Sequence, residues 1–286
     1  MKENKNFKKS TKDKKNISKK EDAKEILDTT SSITDVVNEP IKTIEEKTEL
    51  LGELIEEETP SDEFMKNELN VNSNIEITKI ELSDDKYFKE KTEKKQIVLH
   101  TTGTDKGLDD EIKTFVEGRK YFTTHYIIDR DGKIYQLVDD EYWAYHLNIA
   151  GHIFNENKLE NLNKQLEMNS ISIELDSLGE LHKVGDNKYR NSSYYMTNLT
   201  DENVTKYKDK YFESYTEKQL SALEMLLKHL SDKHDIDFSY KGDEIFSFNL
   251  SALKGESGIY TEASYNKTKN NTHPQPELID ILKKIK

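Results

Sequence analysis

A chain of 286 residues without a cysteine has no disulfide, no thiolate metal ligand and no thiol nucleophile, so any metal or catalytic work falls to His, Asp, Glu or Lys. Its net charge of -13 argues against nucleic acid as a partner, because non-specific binding there rests on neutralising phosphates. An apolar fraction of 33% is low for a wholly folded chain, no apolar run approaches membrane-spanning length, and the first 20 residues lack a signal-peptide core. The expectation is a protein made in the cytoplasm, partly unfolded, with no membrane partner.

Residues 1–20 hold nine lysines against Glu3 and Asp13. Such a segment cannot bury enough surface to offset its ordering entropy. As a basic arm it either touches an anionic surface or keeps the chain soluble. Residues 21–63 reverse the sign, and Ile41, Ile44, Leu50, Leu51, Leu54 and Ile55 recur at roughly helical spacing. They predict a short acidic helix between Pro40 and Pro60, for a partner or for packing on the domain. Residues 1–77 read as disordered tail and linker, and 78–286 as the folded domain.

In that domain, Lys95-Gln96-Ile97-Val98-Leu99 predicts a buried strand that delivers His100 to a sheet edge or cleft floor. A strand end is a rigid mount for a metal ligand; a histidine satisfied by local hydrogen bonds is the other reading. Residues 109–121 predict a helix with Ile112, Phe115 and Val116 on one face. Two β-rich runs around Asp129-Arg130-Asp131-Gly132 predict a hairpin in which Gly132 takes positive φ. Trp143 to His146 follows as loop. In residues 169–176, Ile171, Ile173 and Leu175 share one face of a strand, with Ser170, Ser172 and Glu174 on the other. A carboxylate within so apolar a strand is disfavoured unless it faces a cleft or a partner. Glu174 is therefore the first candidate for a functional acid, an exposed edge-strand glutamate being the alternative.

Residues 177–215, rich in Tyr and Asn and without a clean period, read as a polar insertion over the site. Its aromatics either stack on sugars or pack on one another. Thr216 caps a helix with Gln219 in the capping-box position and a stripe of Leu220, Leu223, Leu226, Leu227 and Leu230. His229 and His234, on the polar side of that helix, read as solvated. Residues 255–273 read as loop, and Pro274-Gln275-Pro276 opens a last helix that buries Leu278, Ile281, Leu282 and Ile285.

In this order, the strand ending in His100, the His125 hairpin, His146, the Ser170-Ile171-Ser172-Ile173-Glu174 strand, the capped helix, and Lys269 and His273 before Pro274 resemble one family. It is the zinc-dependent N-acetylmuramoyl-L-alanine amidases of type 2, with the phage lysozyme and peptidoglycan-recognition fold. The resemblance covers roughly 78–286. It is nearest to versions from phages and bacteria of the Bacteroides group, where endings like Gly258-Ile259-Tyr260-Thr261 and His273-Pro274-Gln275-Pro276 recur. It implies an α/β domain, a mixed central β-sheet flanked by helices, with a groove for bacterial peptidoglycan. It also implies hydrolysis of the amide between N-acetylmuramic acid and L-alanine by water activated on Zn2+ held by three side chains. Glu174 matches the base and Lys269 the residue that steadies charge on the amide oxygen. His100 matches the first metal ligand. Glu262, however, stands where relatives carry a histidine, and Asn271 where they carry Asp or Cys. A shifted set of His100, Glu262 and His273 supplies three donors instead. The substrate-binding candidates are His125, His146 and Trp143. Two functions stay open: a phage-encoded lysin that hydrolyses peptidoglycan, reaching the wall by lysis-linked release or from a particle, and a non-catalytic peptidoglycan-binding module or virion component, docked to phage structural proteins through the N-terminal region.

Overall fold

The computed structural model describes residues 75–105, 107–269 and 272–285. The tail and linker expected over residues 1–77 fall outside the described residues up to residue 74, as do the helix between Pro40 and Pro60 and the side chain of Asn271.

In chain order the first half comprises β1 (Ile77–Lys79), β2 (Gln96–Thr101), α1 (Leu108–Glu117), β3 (Tyr126–Ile128), β4 (Ile134–Gln136), α2 (Gly151–Glu156), α3 (Asn163–Met168) and β5 (Ser170–Leu175). The second half adds β6 (Glu180–Gly185), β7 (Lys188–Asn191), β8 (Met196–Asn198), β9 (Val204–Tyr207), β10 (Lys210–Glu213), α4 (Glu217–Lys233), β11 (Gly258–Thr261) and α5 (Pro276–Lys284). Six strands form a mixed sheet in the order β1-β4-β3-β5-β2-β11. β3 and β4 are the antiparallel hairpin; every other neighbouring pair runs parallel. The α/β class and the mixed sheet flanked by helices are as the sequence led us to expect.

The two central strands, β2 and β5, explain why the sequence there is so apolar. A parallel strand covered on both faces must be buried on both, and every residue of β2 is. On β5 the apolar residues Ile171, Ile173 and Leu175 join the main core. The polar side is buried too, because Ser170 and Ser172 bond to the imidazoles of His146 and His125. Glu174 thus lies on a central strand, not at an edge.

α4 begins as expected: Thr216 Oγ1 accepts from the Gln219 backbone N–H at 3.1 Å. The reciprocal half of the capping box is absent, because the Gln219 side chain donates instead to the carbonyls of Ile128 and Asp176, at 3.0 and 3.1 Å. The same helix start packs on the hairpin turn. Gly132, at φ 81°, approaches so closely that a Cβ there would lie 2.6 Å from the Lys218 carbonyl oxygen. Leu278, Ile281, Leu282 and Ile285 of the final helical segment are all buried, as their spacing predicts.

Four expectations need correction. α1 stops at Glu117, where Gly118 turns to extended backbone, and its buried residue is Glu111, with Val116 exposed. Residues 255–273 are not all loop: β11 adds a parallel edge to β2, its four residues fully enclosed. His234 is not solvated; it bonds at 2.9 Å to the buried Asp140. Residues 177–215 form a second, five-stranded antiparallel sheet, β8-β7-β6-β10-β9, around a small core of Leu178, Leu181 and Tyr189. These strands are three to six residues long and charged on their outer face, so few apolar residues remain to mark a period.

Candidate functional site

The register of three parallel strands assembles the site. His100 on β2 lies directly beside Glu174 on β5. On the other side of β2, Thr261 of β11 pairs with Leu99, so Glu262, the next residue, emerges next to His100. Three candidate side chains therefore stand in a row at the carboxyl ends of adjacent strands, where open α/β sheets form their binding crevices. Lys269 reaches in from the loop after β11, its ammonium 3.5 Å from Glu262 Oε2. On the other side of that oxygen, at 3.9 Å, is His100 Nδ1.

The hydrogen bonds fix the tautomers. Ser170 Oγ donates to the Leu166 carbonyl at 2.6 Å, so toward His146 Nε2, at 2.8 Å, it must accept. His146 therefore carries its proton on Nε2 and has a bare Nδ1, which accepts from His100 Nε2 at 3.1 Å. His100 in turn keeps a bare Nδ1 facing Glu262. The hydrogens are assigned from this network. Burial drives the His100 pKa down to about 3, with the positive charge of Lys269 acting in the same direction, so the ring is neutral at physiological pH.

Glu174 is incompletely paired. Its Oε2 is enclosed and has no hydrogen-bond partner among the described residues. Burial raises its pKa to about 8; the Glu262 charge adds to the rise and Lys269 opposes it. Beside this cluster, Thr101 Oγ1 lies 3.1 Å from both Tyr215 OH and Thr272 Oγ1, tying the end of β2 to the last loop. A cavity of about 300 Å³ opens next to that loop, lined by Tyr207, Lys208, Phe212, Phe246, His273 and Pro274. One wall of it is the β9–β10 hairpin of the second sheet.

The structure brings His100, Glu174, Glu262 and Lys269 together and leaves the other candidates elsewhere. His273 lies flat between the rings of Phe212 and Tyr215, with centroids at 4.6 and 4.8 Å, and is fully buried. Among the described residues, no three His, Asp or Glu side chains gather closely enough to hold a metal ion. The set His100, Glu262 and His273 is not assembled, and the side chains of the described residues do not fit a zinc ion.

The expected substrate-binding residues are also placed differently. Trp143 is enclosed, stacked on Phe88 at 3.9 Å, and donates Nε1–H to Glu90. His125 is enclosed as well, bonded to Ser172 and to the Tyr142 carbonyl. His146 stands behind His100 and orients it. None of the three offers a face to a wall fragment.

Two supporting residues escaped the sequence reading. Glu167 is completely buried and accepts the backbone N–H groups of His146, Leu147 and Asn148, clamping the loop that carries His146. Lys94 donates to the carbonyls of Tyr142 and Met168, and burial lowers its pKa to about 7. Their partners are backbone groups far away in the chain, so no local pattern marks them.

A family model described as N-acetylmuramoyl-L-alanine amidase matches residues 90–269. None of the curated proteins compared with the chain matches it. Solved structures similar to it include the N-acetylmuramoyl-L-alanine amidase LysC from Clostridium intestinale, at 15% identity and a TM-score of 0.39 over 74% of this chain and 99% of that one. A mutant endolysin from Bacillus subtilis follows at 13% and 0.41, over 73% and 97%. The hydrolase AmiA from Staphylococcus aureus, solved with its ligand, stands at 13% and 0.40, over 78% and 87%.

Proposed function

This chain belongs to the N-acetylmuramoyl-L-alanine amidase family, and from that premise we propose that it hydrolyses peptidoglycan at the amide between the lactyl group of N-acetylmuramic acid and L-alanine. The observation that carries the reading is the carboxylate of Glu174, held without a hydrogen bond at one oxygen beside an ammonium. A half-buried acid with one enclosed oxygen and a pKa near the working pH is suited to taking a proton from water. In its ionised form Glu174 removes that proton while the water oxygen attacks the amide carbonyl. Lys269 steadies the charge that grows on the carbonyl oxygen. The carbon–nitrogen bond then breaks, the proton passes from Glu174 to the leaving nitrogen, and the products are a lactyl carboxylate and a free alanine amino terminus. Glu262 holds the Lys269 ammonium, and His146 keeps His100 in one tautomer. The cavity beside His273 gives the glycan or the peptide stem a partly aromatic wall. Virion attachment through residues 1–77, and an origin in a phage, belong to the same proposal as the route by which such an enzyme reaches the wall.

A second reading, recognition of peptidoglycan without cleavage, is favoured by one observation: a zinc ion finds no three-donor set among the described residues. One assay separates them. Purified peptidoglycan is incubated with the full chain, and new L-alanine amino termini are counted for the native protein and for Glu174→Gln. Cleavage by the native protein alone supports hydrolysis. Sedimentation of both proteins with the wall, with no new termini from either, supports recognition.

A further inference from the structure

We propose that the Lys269 ammonium is the resident cation of this site and that its presence there excludes a divalent metal. The proposal goes beyond the hydrolytic reading and does not depend on it, because it concerns which cation the Glu262 carboxylate holds.

The geometry starts from Glu262 Oε2. This oxygen lies between the bare Nδ1 of His100, at 3.9 Å, and Nζ of Lys269, at 3.5 Å. Two ligands of one tetrahedral zinc stand roughly 3.3 Å apart, so His100 and Glu262 come close to being such a pair. Among the described residues a third donor is missing. The nearest remaining imidazole in the sequence, His273, is committed to a stack between Phe212 and Tyr215 and is fully buried. Swinging it outward would open that aromatic sandwich. The Thr272 side chain beside it is held too, by Thr101 and by the Leu99 carbonyl, so the loop cannot slide without breaking these bonds.

Charge completes the argument. Glu262 is only 6% exposed, and a buried carboxylate requires a cation or its proton. Lys269 meets that need: its side chain is 37% exposed, so its stem runs in from solvent and brings the charge to the buried oxygen. A zinc ion entering the same space would face a positive charge at contact distance and would have to displace it from the carboxylate. A lysine covalently carried by the chain is always present, whereas a metal must be captured. The site is thereby independent of metal supply.

The test reads metal uptake without substrate. The full chain is stripped with a chelator and dialysed, and zinc affinity is measured by competition with a chromophoric chelator, with bound metal counted by elemental analysis. The native protein is expected to take up no zinc at this site, shown by identical uptake in native protein and Glu262→Gln. Lys269→Met, which keeps the stem and removes the charge, is expected to bind zinc at least about tenfold more tightly than the detection limit set for the native protein, the scale of one like charge removed at contact distance. Circular dichroism confirms folding, and Lys269→Gln replaces Lys269→Met if the latter misfolds. Stoichiometric zinc in the native protein, lost in Glu262→Gln, would overturn the proposal. An affinity unchanged by removal of the lysine charge would overturn it as well. Neither result bears on whether the amide is cut.

Discussion

Glu174 and Asp176 stand two residues apart at the end of β5, yet the polar groups around them are arranged in opposite ways. Asp176 takes both oxygens to Arg130 Nη1 at 2.7 Å, and the same guanidinium reaches Glu213 on β10 through Nη2 at 3.0 Å. Both Asp176 oxygens and the guanidinium have partners there, and the result is a rivet joining the central sheet to the five-stranded one. The exception beside it is buried Glu111, whose carboxyl is pushed up to about 8 by burial and by the Asp176 charge. Glu174 has an enclosed oxygen without a hydrogen bond and a second carboxylate, Glu262, nearby. Satisfied buried charges specify how two parts of a chain meet; an unsatisfied one stores the energy that catalysis or binding releases. The contrast makes the first cluster a structural joint and the second the candidate site.

Breaking the functional side should produce the largest effect. Glu174→Gln is expected to lower the release of alanine amino termini by about 10²–10⁴-fold, the usual share of a general base. Stability should respond in the other direction. The folded pKa of Glu174, about 8, lies above its unfolded value of 4.5. The folded state therefore holds the extra proton between those values, and native stability declines as pH rises through that window. In Glu174→Gln this part of the decline should vanish, so urea unfolding should find the variant gaining on the native protein as pH rises from about 5 to about 8.

Breaking the structural side should cost fold, not chemistry. Arg130→Met leaves Asp176 and Glu213 facing each other without a cation, and about 3 kcal/mol of unfolding free energy should be lost. The loss should shrink in acid, where both carboxyls take up protons. A smaller change isolates the joint between the hairpin and α4. Thr216→Ala removes a cap and the bond to the Arg130 carbonyl, and should cost about 1 kcal/mol in the same experiment.

The smallest effect is a constancy. Because burial holds His100 and His146 well below their ordinary pKa, nitrogen NMR should find both rings neutral and in the Nε2–H form throughout pH 5 to 8. A titration of either ring in that range would show the relay to be open to water.

The contrast also explains what could be read from the chain. The apolar run at residues 97–99 announces a buried strand and the alternation over 169–176 a second strand, and Glu174 is conspicuous there because a carboxylate stands between apolar neighbours. The Thr216 cap and the leucine stripe of α4 are equally local signals. The second sheet was not legible, since its three- to six-residue strands carry charges outward and its stability depends on Arg130, some 80 positions from Glu213. Trp143, His125 and His146 misled for the opposite reason. Aromatic and imidazole side chains suit a sugar-binding surface, but only the fold reveals that these are enclosed and bonded to Glu90, Ser172 and Ser170. Glu262 was singled out by position, yet its pairing with Lys269 depends on a loop whose path no periodicity describes.

The most direct test of the account is digestion of purified peptidoglycan by the full chain in the presence of a strong chelator, with the products read by mass spectrometry. The account predicts stem peptides with free L-alanine amino termini, formed at the same rate with and without the chelator and absent with Glu174→Gln. Digestion that stops in chelator and returns on adding zinc would contradict it.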